Sequence, residues 1–383
     1  MDEAEFEQAL LVVRAFVRDR VVPAEARIEQ DDEIPDEFRT ISRSMGLFGS
    51  AIPVVYGGLG LSMECEVRLA FELGYTTPAL RAMFGTNNGI AGQVLLEAGS
   101  ADQKSDWLPR IASGEVIASF ALTEETAGSD PSTLRTSARR EGGDWVIDGS
   151  KRFITNSPVA DVFVVFARTD PDAAAVQGIS AFLVERSTPG LSVGPRDKKM
   201  GQAGELTADV HFDSVRVPAT SMIGGEGEGY SAALRSLGPG RARIAGLCVG
   251  MAQRLVDESL DYANHRHQSG RPIGSFQLVQ GMLADSQTDL YAGRALALEA
   301  ARAMDDGSDT RIGPSCAKYF CSEMVGRVAD RAVQIHGGSG YIKGVPVERI
   351  YRDARLFRLY EGTSQIQQVI IATQSLRLRS SLT

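Results

Sequence analysis

The sequence of 383 residues lacks the features that mark membrane, nucleic-acid-binding and disulfide-rich proteins. Its longest apolar runs, such as residues 162–167, are far shorter than the roughly 18 residues that a membrane helix needs. Lysine and arginine (40) are outnumbered by aspartate and glutamate (49), and the net charge of −9 disfavours a protein that grips a nucleic-acid backbone. The four cysteines form no CxxC pair, and the acidic N-terminal residues do not resemble a basic presequence. We therefore expect a cytoplasmic protein with no membrane and no nucleic-acid partner.

Histidine is also scarce. The four histidines are His211, His265, His267 and His336, and no HExxH, CxxC or carboxylate triad has the spacing of metal ligands. We predict that the protein holds no metal.

The pattern of apolar residues predicts helices at the start of the chain. Residues on one face of a helix recur every three or four positions, as at Phe6, Leu10, Val13 and Val17. Residues 88–97 and 102–111 have the pattern of two further helices, separated by a glycine. We predict an N-terminal helical domain over residues 1–117.

The pattern then changes to a period of two. Segments rich in β-forming residues lie at residues 116–122, 162–166, 182–184 and 210–212. Gly142 and Gly143, between two such segments, form a hairpin signal. Because no helical pattern separates these strands, we predict a middle antiparallel β domain over residues 118–223.

Long helical patterns return after the glycine-rich residues 224–229, which fit an interdomain linker better than a nucleotide-binding loop. Two apolar helix faces can be traced, one through Ile244, Leu247, Met251, Leu255 and Tyr262 and one through Ala317, Phe320, Met324, Val328 and Ile335. We predict a C-terminal helical bundle over residues 224–383. The fold class is therefore α+β and multidomain, in the order helical, β, helical.

Two C-terminal segments carry candidate chemistry. In Gln334–Tyr341 a long helix runs into a glycine cluster, whose backbone N–H groups could approach a bound pyrophosphate or could simply cap the helix. In Tyr360–Gln367 the Glu361 carboxylate lies between an aromatic residue and a glycine, where Thr363 or Ser364 could start a helix. Glu361 could be a functional acid or part of that cap.

Four segments in a fixed order carry a family resemblance. They are Phe120–Asp130 (FALTEETAGSD), Lys151–Asn156 (KRFITN), Gln334–Tyr341 (QIHGGSGY) and Tyr360–Gln365 (YEGTSQ). The AGSD and YEGT motifs are specific, and the similarity covers essentially the whole chain. The sequence thus resembles the acyl-CoA dehydrogenase family of FAD-dependent flavoproteins, and this resemblance implies the same helical, β, helical fold.

The resemblance implies an FAD site between the β domain and the C-terminal helices. The residues implied to bind FAD are Phe120, Leu122, Thr123, Gly128, Ser129, Phe153, Ile154, Thr155, Arg266, Gln277, Gln334, Ile335, His336, Gly337, Gly338, Thr363 and Gln365. Those implied to contact the acyl-CoA substrate are Ser129, Arg241, Tyr360 and Gly362. Part of the FAD site would lie across a subunit interface, so we expect a homotetramer or a homodimer.

The resemblance also implies a reaction, the α,β-dehydrogenation of an acyl-CoA thioester to the trans-2-enoyl-CoA. Glu361 would abstract the α-proton while flavin N5 accepts the β-hydride, and the electrons would pass to electron-transfer flavoprotein. Two alternatives stay open: an acyl-CoA oxidase that uses O2, and a catalytically silent protein that binds acyl-CoA or flavin.

The sequence departs from the family pattern at a few positions. Some branches carry the base at the position that matches Gly240, so Glu361 has no competitor in this chain. Gly240 also removes side-chain bulk near the acyl channel, which predicts room for a branched or bulky acyl group. Relatives commonly have an acidic residue at the position of Gly238, Phe at that of Ser269 and Pro at that of Glu125. Ser269 changes the expected packing around the cofactor.

Overall fold

The computed structural model describes residues 2–173 and 176–380. Its N-terminal part consists of the helices α1 (Glu3–Ala15), α2 (Val22–Asp31), α3 (Asp36–Ser44), α4 (Met63–Leu73), α5 (Pro78–Asn88), α6 (Ile90–Ala98) and α7 (Ala101–Ala112). A π-helical turn, Phe16–Val21, joins α1 to α2. Across the described ranges, no helix is both long and apolar enough to cross a membrane.

The apolar stripe predicted at the N-terminus is confirmed, because Phe6, Leu10, Val13 and Val17 are all buried. Helix α1 begins with a capping box. The Glu5 N–H donates to the Asp2 carboxylate (2.8 Å), and the Asp2 N–H donates to the Glu5 carboxylate (3.0 Å). The same arrangement, made by Ser100 and Gln103, starts α7. Each box satisfies two backbone N–H groups that a helix start otherwise leaves unpaired.

The middle part is a sheet built from β1 (Ala118–Ala121), β2 (Ser137–Glu141), β3 (Asp144–Thr155), β4 (Val162–Arg168), β5 (Ile179–Glu185), β6 (Leu191–Val193), β7 (Thr207–Pro218) and β8 (Met222–Ile223). The strand order is β6-β7-β3-β2-β4-β5-β8, and β1 also pairs with β4. Val162, Val164 and Phe166 of β4 pack in the core that contains α6 and α7, whereas Phe163 and Val165 pack in a second core. Both faces of β4 are therefore buried, which explains its continuous apolar run.

The sheet is mostly antiparallel, as expected from the sequence, but two of its pairings are parallel. Ala118 of β1 lies opposite Val162 of β4 in a parallel ladder, and Ser137 of β2 also pairs with Arg168 of β4 in parallel orientation. The hairpin predicted at Gly142 is confirmed, since it joins β2 to β3. The chain between the parallel strands β1 and β4 contains this hairpin and no α-helix. The lack of a helical pattern between the predicted strands therefore did not exclude parallel pairing.

The C-terminal part consists of the long helices α8 (Gly229–His265), α9 (Gln277–Asp305) and α10 (Ile312–His336), followed by α11 (Pro346–Ala354) and α12 (Ser364–Ser380). A small hairpin of β9 (His267–Gln268) and β10 (Arg271–Pro272) separates α8 from α9. The apolar positions Ile244, Leu247, Met251, Leu255, Ala317, Met324, Val328 and Ile335 are buried, as their spacing predicted, whereas Tyr262 and Phe320 are only half-buried. All of the buried positions except Ile335 share one core with residues of α1, α4 and α5.

Candidate active site

A cavity of about 1010 Å3 lies where the three parts of the chain meet. Its wall is formed by α5, by residues at and after the end of β1, by the end of β3, by the first half of α8, by residues 360–362 and by α12. Small-molecule sites commonly enclose roughly 300–1,000 Å3, so this cavity lies at the upper end of the range. Its size suits a cofactor and a substrate that share one site.

Many of the residues implied to bind FAD or substrate line this cavity. They are Phe120, Leu122, Thr123, Gly128, Ser129, Phe153, Ile154, Thr155, Arg241, Tyr360 and Gly362, and the expected base Glu361 lines the cavity with them. The fold thus brings together three of the four sequence motifs, whereas the glycine cluster after α10 does not line the cavity.

The chemistry of the cavity wall fits a flavin. Phe120, Leu122 and Ile154 provide apolar surface for a flat ring, and nearby hydroxyl groups of Thr123, Ser129 and Thr155 can bond its polar edge. A Cβ at Gly128 would meet no atom within 4 Å, so a ligand can approach the backbone there. Within the part of the chain that the structure describes, no group of three or more His, Cys, Asp or Glu side chains is placed to hold a metal ion.

Phe153 reaches the cavity through an irregularity in β3. The pairing of β3 with β7 shifts register between Lys151 and Ile154, as in a β-bulge. Phe153 has a φ of 58°, in the left-handed region that bulky residues rarely adopt, and its side chain is 59% exposed at the cavity wall. Bulges commonly re-aim a side chain next to a functional site. The strained backbone and the interrupted pairing of β3 with β7 fit a Phe153 side chain that packs against a ligand.

The Glu361 carboxylate is aimed by an unusual backbone turn. Glu361 has a φ of 51° and Gly362 a φ of 88°, so two successive residues are left-handed. The Oε2 atom of Glu361 would overlap a Cβ placed on Gly240. The expectation that Gly240 leaves room for a bulky acyl group is therefore wrong, because the carboxylate of Glu361 fills that space.

The turn is held from behind by two side chains. The Lys318 ammonium donates to the Gly362 carbonyl (2.7 Å), and the Gln367 amide donates to the same carbonyl (3.0 Å) and to that of Glu361 (3.2 Å). The Thr363 hydroxyl accepts from the Ile366 N–H (3.3 Å) and caps α12, which begins at Ser364 as the sequence suggested. The cap is thus made by Thr363, and the side chain of Glu361 is left for another role.

Two charged side chains at the cavity have buried atoms without a partner. Among the described residues, neither Oε2 of Glu361 nor Nε of Arg241 has a hydrogen-bond partner. The Arg241 Nη1 atom lies 3.5 Å from the Ser315 hydroxyl, to which it donates. Burial lowers the pKa of Arg241, and the negative charge of Glu361 acts against that shift. Because buried polar groups normally have partners, these two atoms point to a bound ligand that supplies them.

The cavity wall also contains charged residues that the sequence analysis did not identify, among them Arg81 and Glu205. The Arg81 guanidinium packs against Gly85 in α5, and a Cβ at Gly85 would come within 2.8 Å of its Cζ atom. Glu205 is buried, and its Oε2 has no partner among the described residues. Burial raises the pKa of Glu205 and thus favours the neutral acid. Neither residue lies in a recognisable motif. Arg81 is the one charged residue of α5, and this isolated charge could have marked it in the sequence as a candidate site residue.

The other residues implied to bind FAD lie elsewhere. Arg266 follows the last residue of α8, His265, which is 24 residues and hence about 36 Å of helix rise beyond Arg241. The ring of His336, at the end of α10, stacks on that of Tyr262 at 4.2 Å, so the Gln334–Gly338 segment lies near the end of α8. Gln277 begins α9, whereas Thr363 and Gln365 flank the start of α12. The implied site is therefore divided between two regions of one subunit.

The departures from the family pattern have different settings. Ser269 is exposed in the turn of the β9–β10 hairpin, with a φ of 52°, and does not line the cavity. Glu125 is exposed and pairs with Arg152 at 3.4 Å. Gly238 does line the cavity.

Three family models match successive parts of the chain. The N-terminal domain of acyl-CoA dehydrogenase matches residues 3–115, the middle domain matches residues 119–215, and the C-terminal domain matches residues 227–376. The matches follow the order of the three parts described above and cover most of the chain.

Relatives with similar sequences extend over nearly the whole chain. An acyl-CoA dehydrogenase of Bacillus subtilis (strain 168) is 38% identical over 361 residues, which are 94% of this chain and 95% of that protein. The caffeyl-CoA reductase-Etf complex subunit CarC of Acetobacterium woodii is 37% identical, over 91% of this chain and 92% of that protein.

Solved structures with the same fold were also found. Butyryl-CoA dehydrogenase from Megasphaera elsdenii superposes with a TM-score of 0.94 at 30% identity, covering 98% of this chain and 99% of that chain. An FAD complex of PigA has a TM-score of 0.93 at 28% identity, covering 99% of both chains.

Proposed function

Because the chain belongs to the acyl-CoA dehydrogenase family, we propose that it desaturates an acyl-CoA thioester between Cα and Cβ to give the trans-2-enoyl-CoA. The chain is an oxidoreductase that acts on acyl-CoA, and its cofactor is FAD. When bound, FAD supplies the acceptor, N5, for the β-hydride. The protein must supply a base for the α-proton and donors for the thioester oxygen.

The observation that carries the proposal is the free carboxylate of Glu361 at the cavity wall. Its Oε2 atom is buried and without a protein partner among the described residues, so a lone pair is free for a substrate proton. A general base has to lie within hydrogen-bond reach of the proton that it removes. Glu361 would take the α-proton, and its own backbone N–H would donate to the thioester oxygen as enolate character develops.

The cavity residues would hold FAD and CoA in defined places. Phe120, Leu122 and Ile154 would pack on the flavin, and the hydroxyl groups of Thr123 and Thr155 would bond its polar edge. Two cavity-lining arginines, Arg311 and Arg377, have the charge that phosphate groups of CoA require, whereas Arg235 is already paired with Glu97 at 3.1 Å.

We also propose that two subunits complete each FAD site. Arg266, Gln277 and the Gln334–Gly338 segment lie too far along α8 for one FAD, with its ring beside Glu361, to reach them in the same subunit. They would instead bind the adenine half of the FAD of a neighbouring copy, in a homotetramer or homodimer. Arg266→Ala should then lose FAD more readily than the wild type on gel filtration. A monodisperse monomer that retains one FAD per chain would contradict shared sites.

The electrons are expected to pass to electron-transfer flavoprotein, because a relative is a subunit of an Etf complex. An oxidase would instead pass them to O2, and a silent binding protein would not accept them from the substrate. Anaerobic addition of acyl-CoA thioesters separates these functions. We expect the flavin absorbance to bleach, to recover slowly in air, and to recover rapidly with oxidised electron-transfer flavoprotein.

Other outcomes of this experiment identify the alternatives. Rapid recovery in air with formation of peroxide would identify an oxidase, and a flavin that no thioester bleaches would identify a silent binder. Since a reductase is among the relatives, enoyl-CoA thioesters with the chemically reduced enzyme complete the panel. Reoxidation by enoyl-CoA alone, without bleaching by the saturated thioester, would reverse the proposed direction.

Arg81 suggests the character of the acyl group. Arg81 lines the cavity within electrostatic range of Glu205, and no described carboxylate forms an ion pair with it within 4.0 Å. Because Arg binds carboxylates bidentately, we propose an acyl chain with a polar or anionic far end. A chain that ends in carboxylate should have a higher kcat/KM than the methyl-terminated chain of equal length, and Arg81→Met should reverse that order. An unchanged order in Arg81→Met would contradict this role.

A further inference from the structure

Lys318 is a fully buried lysine of α10 that the proposed chemistry does not use. The residue is 0% exposed, and its ammonium donates to the Gly362 carbonyl at 2.7 Å. Taking an ammonium out of water is costly unless an anion or a strong acceptor compensates. The ionisable groups around Lys318 therefore determine which anion its positive charge stabilises.

The thiols beside Lys318 do not balance its charge. Cys248 lies within electrostatic range of the ammonium, and Cys321 is one turn further along α10. Burial raises the pKa of Cys321 to about 12 and that of Cys248 well above its usual value. Both thiols are thus neutral near pH 7.

Of the two carboxylates in electrostatic range of Lys318, one is already paired. Glu323 forms an ion pair with Arg358 (2.8 Å) and accepts a hydrogen bond from the Ser364 hydroxyl (2.6 Å). Glu361 has no such pairing, since its Oε2 has no partner among the described residues. The Glu361 carboxylate is therefore the anion on which the charge of Lys318 acts.

The other ionisable groups that face Glu361 differ in the charge they bring. Arg241, on α8, contributes a second positive charge. Glu205 and Tyr360 are buried, and burial raises the pKa of each, which favours their neutral forms. Lys318 and Arg241 thus form the positive side of the Glu361 environment. Burial lowers the pKa of Lys318 to about 8, which leaves it mostly protonated at neutral pH.

The hydrogen bond of Lys318 also falls at the strained part of the backbone. Glu361 and Gly362 are both left-handed, and a non-glycine residue in this region costs on the order of 1–3 kcal/mol. Such a turn persists only when its surroundings hold it. The Gly362 carbonyl accepts from Lys318 and Gln367 together, which fixes the peptide that follows the carboxylate-bearing residue.

We propose that Lys318 is a positioning residue for Glu361. Through its hydrogen bond to the Gly362 carbonyl it holds the left-handed turn that aims the Glu361 carboxylate into the cavity. This inference rests on the proposed role of Glu361 as the base.

The test is the rate of anaerobic flavin reduction, with the thioester that bleaches the wild-type flavin fastest, for Lys318→Met and Lys318→Gln. Lys318→Met removes the donor to the Gly362 carbonyl. We expect it to retain FAD and acyl-CoA binding and to reduce flavin roughly 10- to 100-fold more slowly. Lys318→Gln keeps an amide donor on a side chain that is one atom shorter, so it should recover only part of the rate.

The control is Cys321→Ala, which removes a buried side chain from the same helix and changes no charge at neutral pH. It should lower Tm but leave the rate per FAD unchanged. An FAD-loaded Lys318→Met with the wild-type rate would overturn the positioning role. If Lys318→Met does not fold, an FAD-loaded Lys318→Gln with the wild-type rate would overturn it. A wild-type flavin that no acyl-CoA bleaches would instead overturn the proposed function, and this role with it.

Discussion

Replacing Gly240 with alanine tests where the Glu361 carboxylate lies. A Cβ at position 240 would overlap the Oε2 atom of Glu361, so the carboxylate has to move. Because that atom is the flexible end of a side chain, the backbone of α8 can stay in place. A reacting group misplaced by about 1 Å can cost about 100-fold in rate. We therefore expect flavin reduction by Gly240→Ala to fall roughly 10- to 100-fold.

The stability of Gly240→Ala should not fall with its activity. Gly240 lies inside α8, and alanine is favoured over glycine in a helix interior by about 1 kcal/mol. The displaced carboxylate offsets part of this gain. We expect Tm to be unchanged or higher, which separates this variant from one that loses activity because it unfolds.

The matched control is Gly326→Ala in α10, where a Cβ would meet no atom within 4 Å. It should gain similar helix stability and reduce flavin at the wild-type rate. Stopped-flow absorbance of the flavin under anaerobic conditions measures the rate, and thermal unfolding measures Tm. A Gly240→Ala protein that is loaded with FAD and reduces it at the wild-type rate would refute the placement of the carboxylate.

Two further predictions follow from buried carboxylates. In a Glu361→Gly background, Gly240→Glu puts a carboxylate into the vacated space. This double variant should recover part of the rate of anaerobic flavin reduction. A rate no higher than that of Glu361→Gly alone would show that carboxylates at the two positions do not reach the same substrate carbon. Burial raises the pKa of Asp353 to about 6 from an ordinary value of 3.8, so the folded state holds this proton more tightly. Its contribution to the free energy of unfolding should fall by up to about 3 kcal/mol as pH rises from about 4 to about 6, and Asp353→Asn should flatten that part of the stability curve. An unaltered slope in urea titrations of Asp353→Asn would contradict this.

Local patterns in the sequence predicted the parts of the fold that depend on local chemistry. The period of apolar residues found α1, the run of β-forming residues found β4, and the glycine pair at Gly142 found the β2–β3 hairpin, because these signals are set by neighbouring residues. Motif residues such as Thr123 and Glu361 reach one cavity because each motif forms one wall of it.

Features that depend on distant residues could not be predicted in this way. The space at Gly240 is filled by Glu361, and Lys318 bonds the peptide of Gly362, yet nothing in the local sequence joins these positions. The parallel pairing of β1 with β4 likewise depends on a connection made by a hairpin. Arg81 gave a signal as the lone charge of α5, but its cavity became evident only from the fold.

The central claim, that Glu361 is the base, is tested most directly by anaerobic flavin reduction in Glu361→Gln. The amide keeps the shape of the side chain and removes its ability to take the α-proton. With FAD content and acyl-CoA binding shown to be retained, we predict a loss of at least about 100-fold in the rate of flavin reduction. Flavin reduction by FAD-loaded Glu361→Gln at the wild-type rate would contradict the claim.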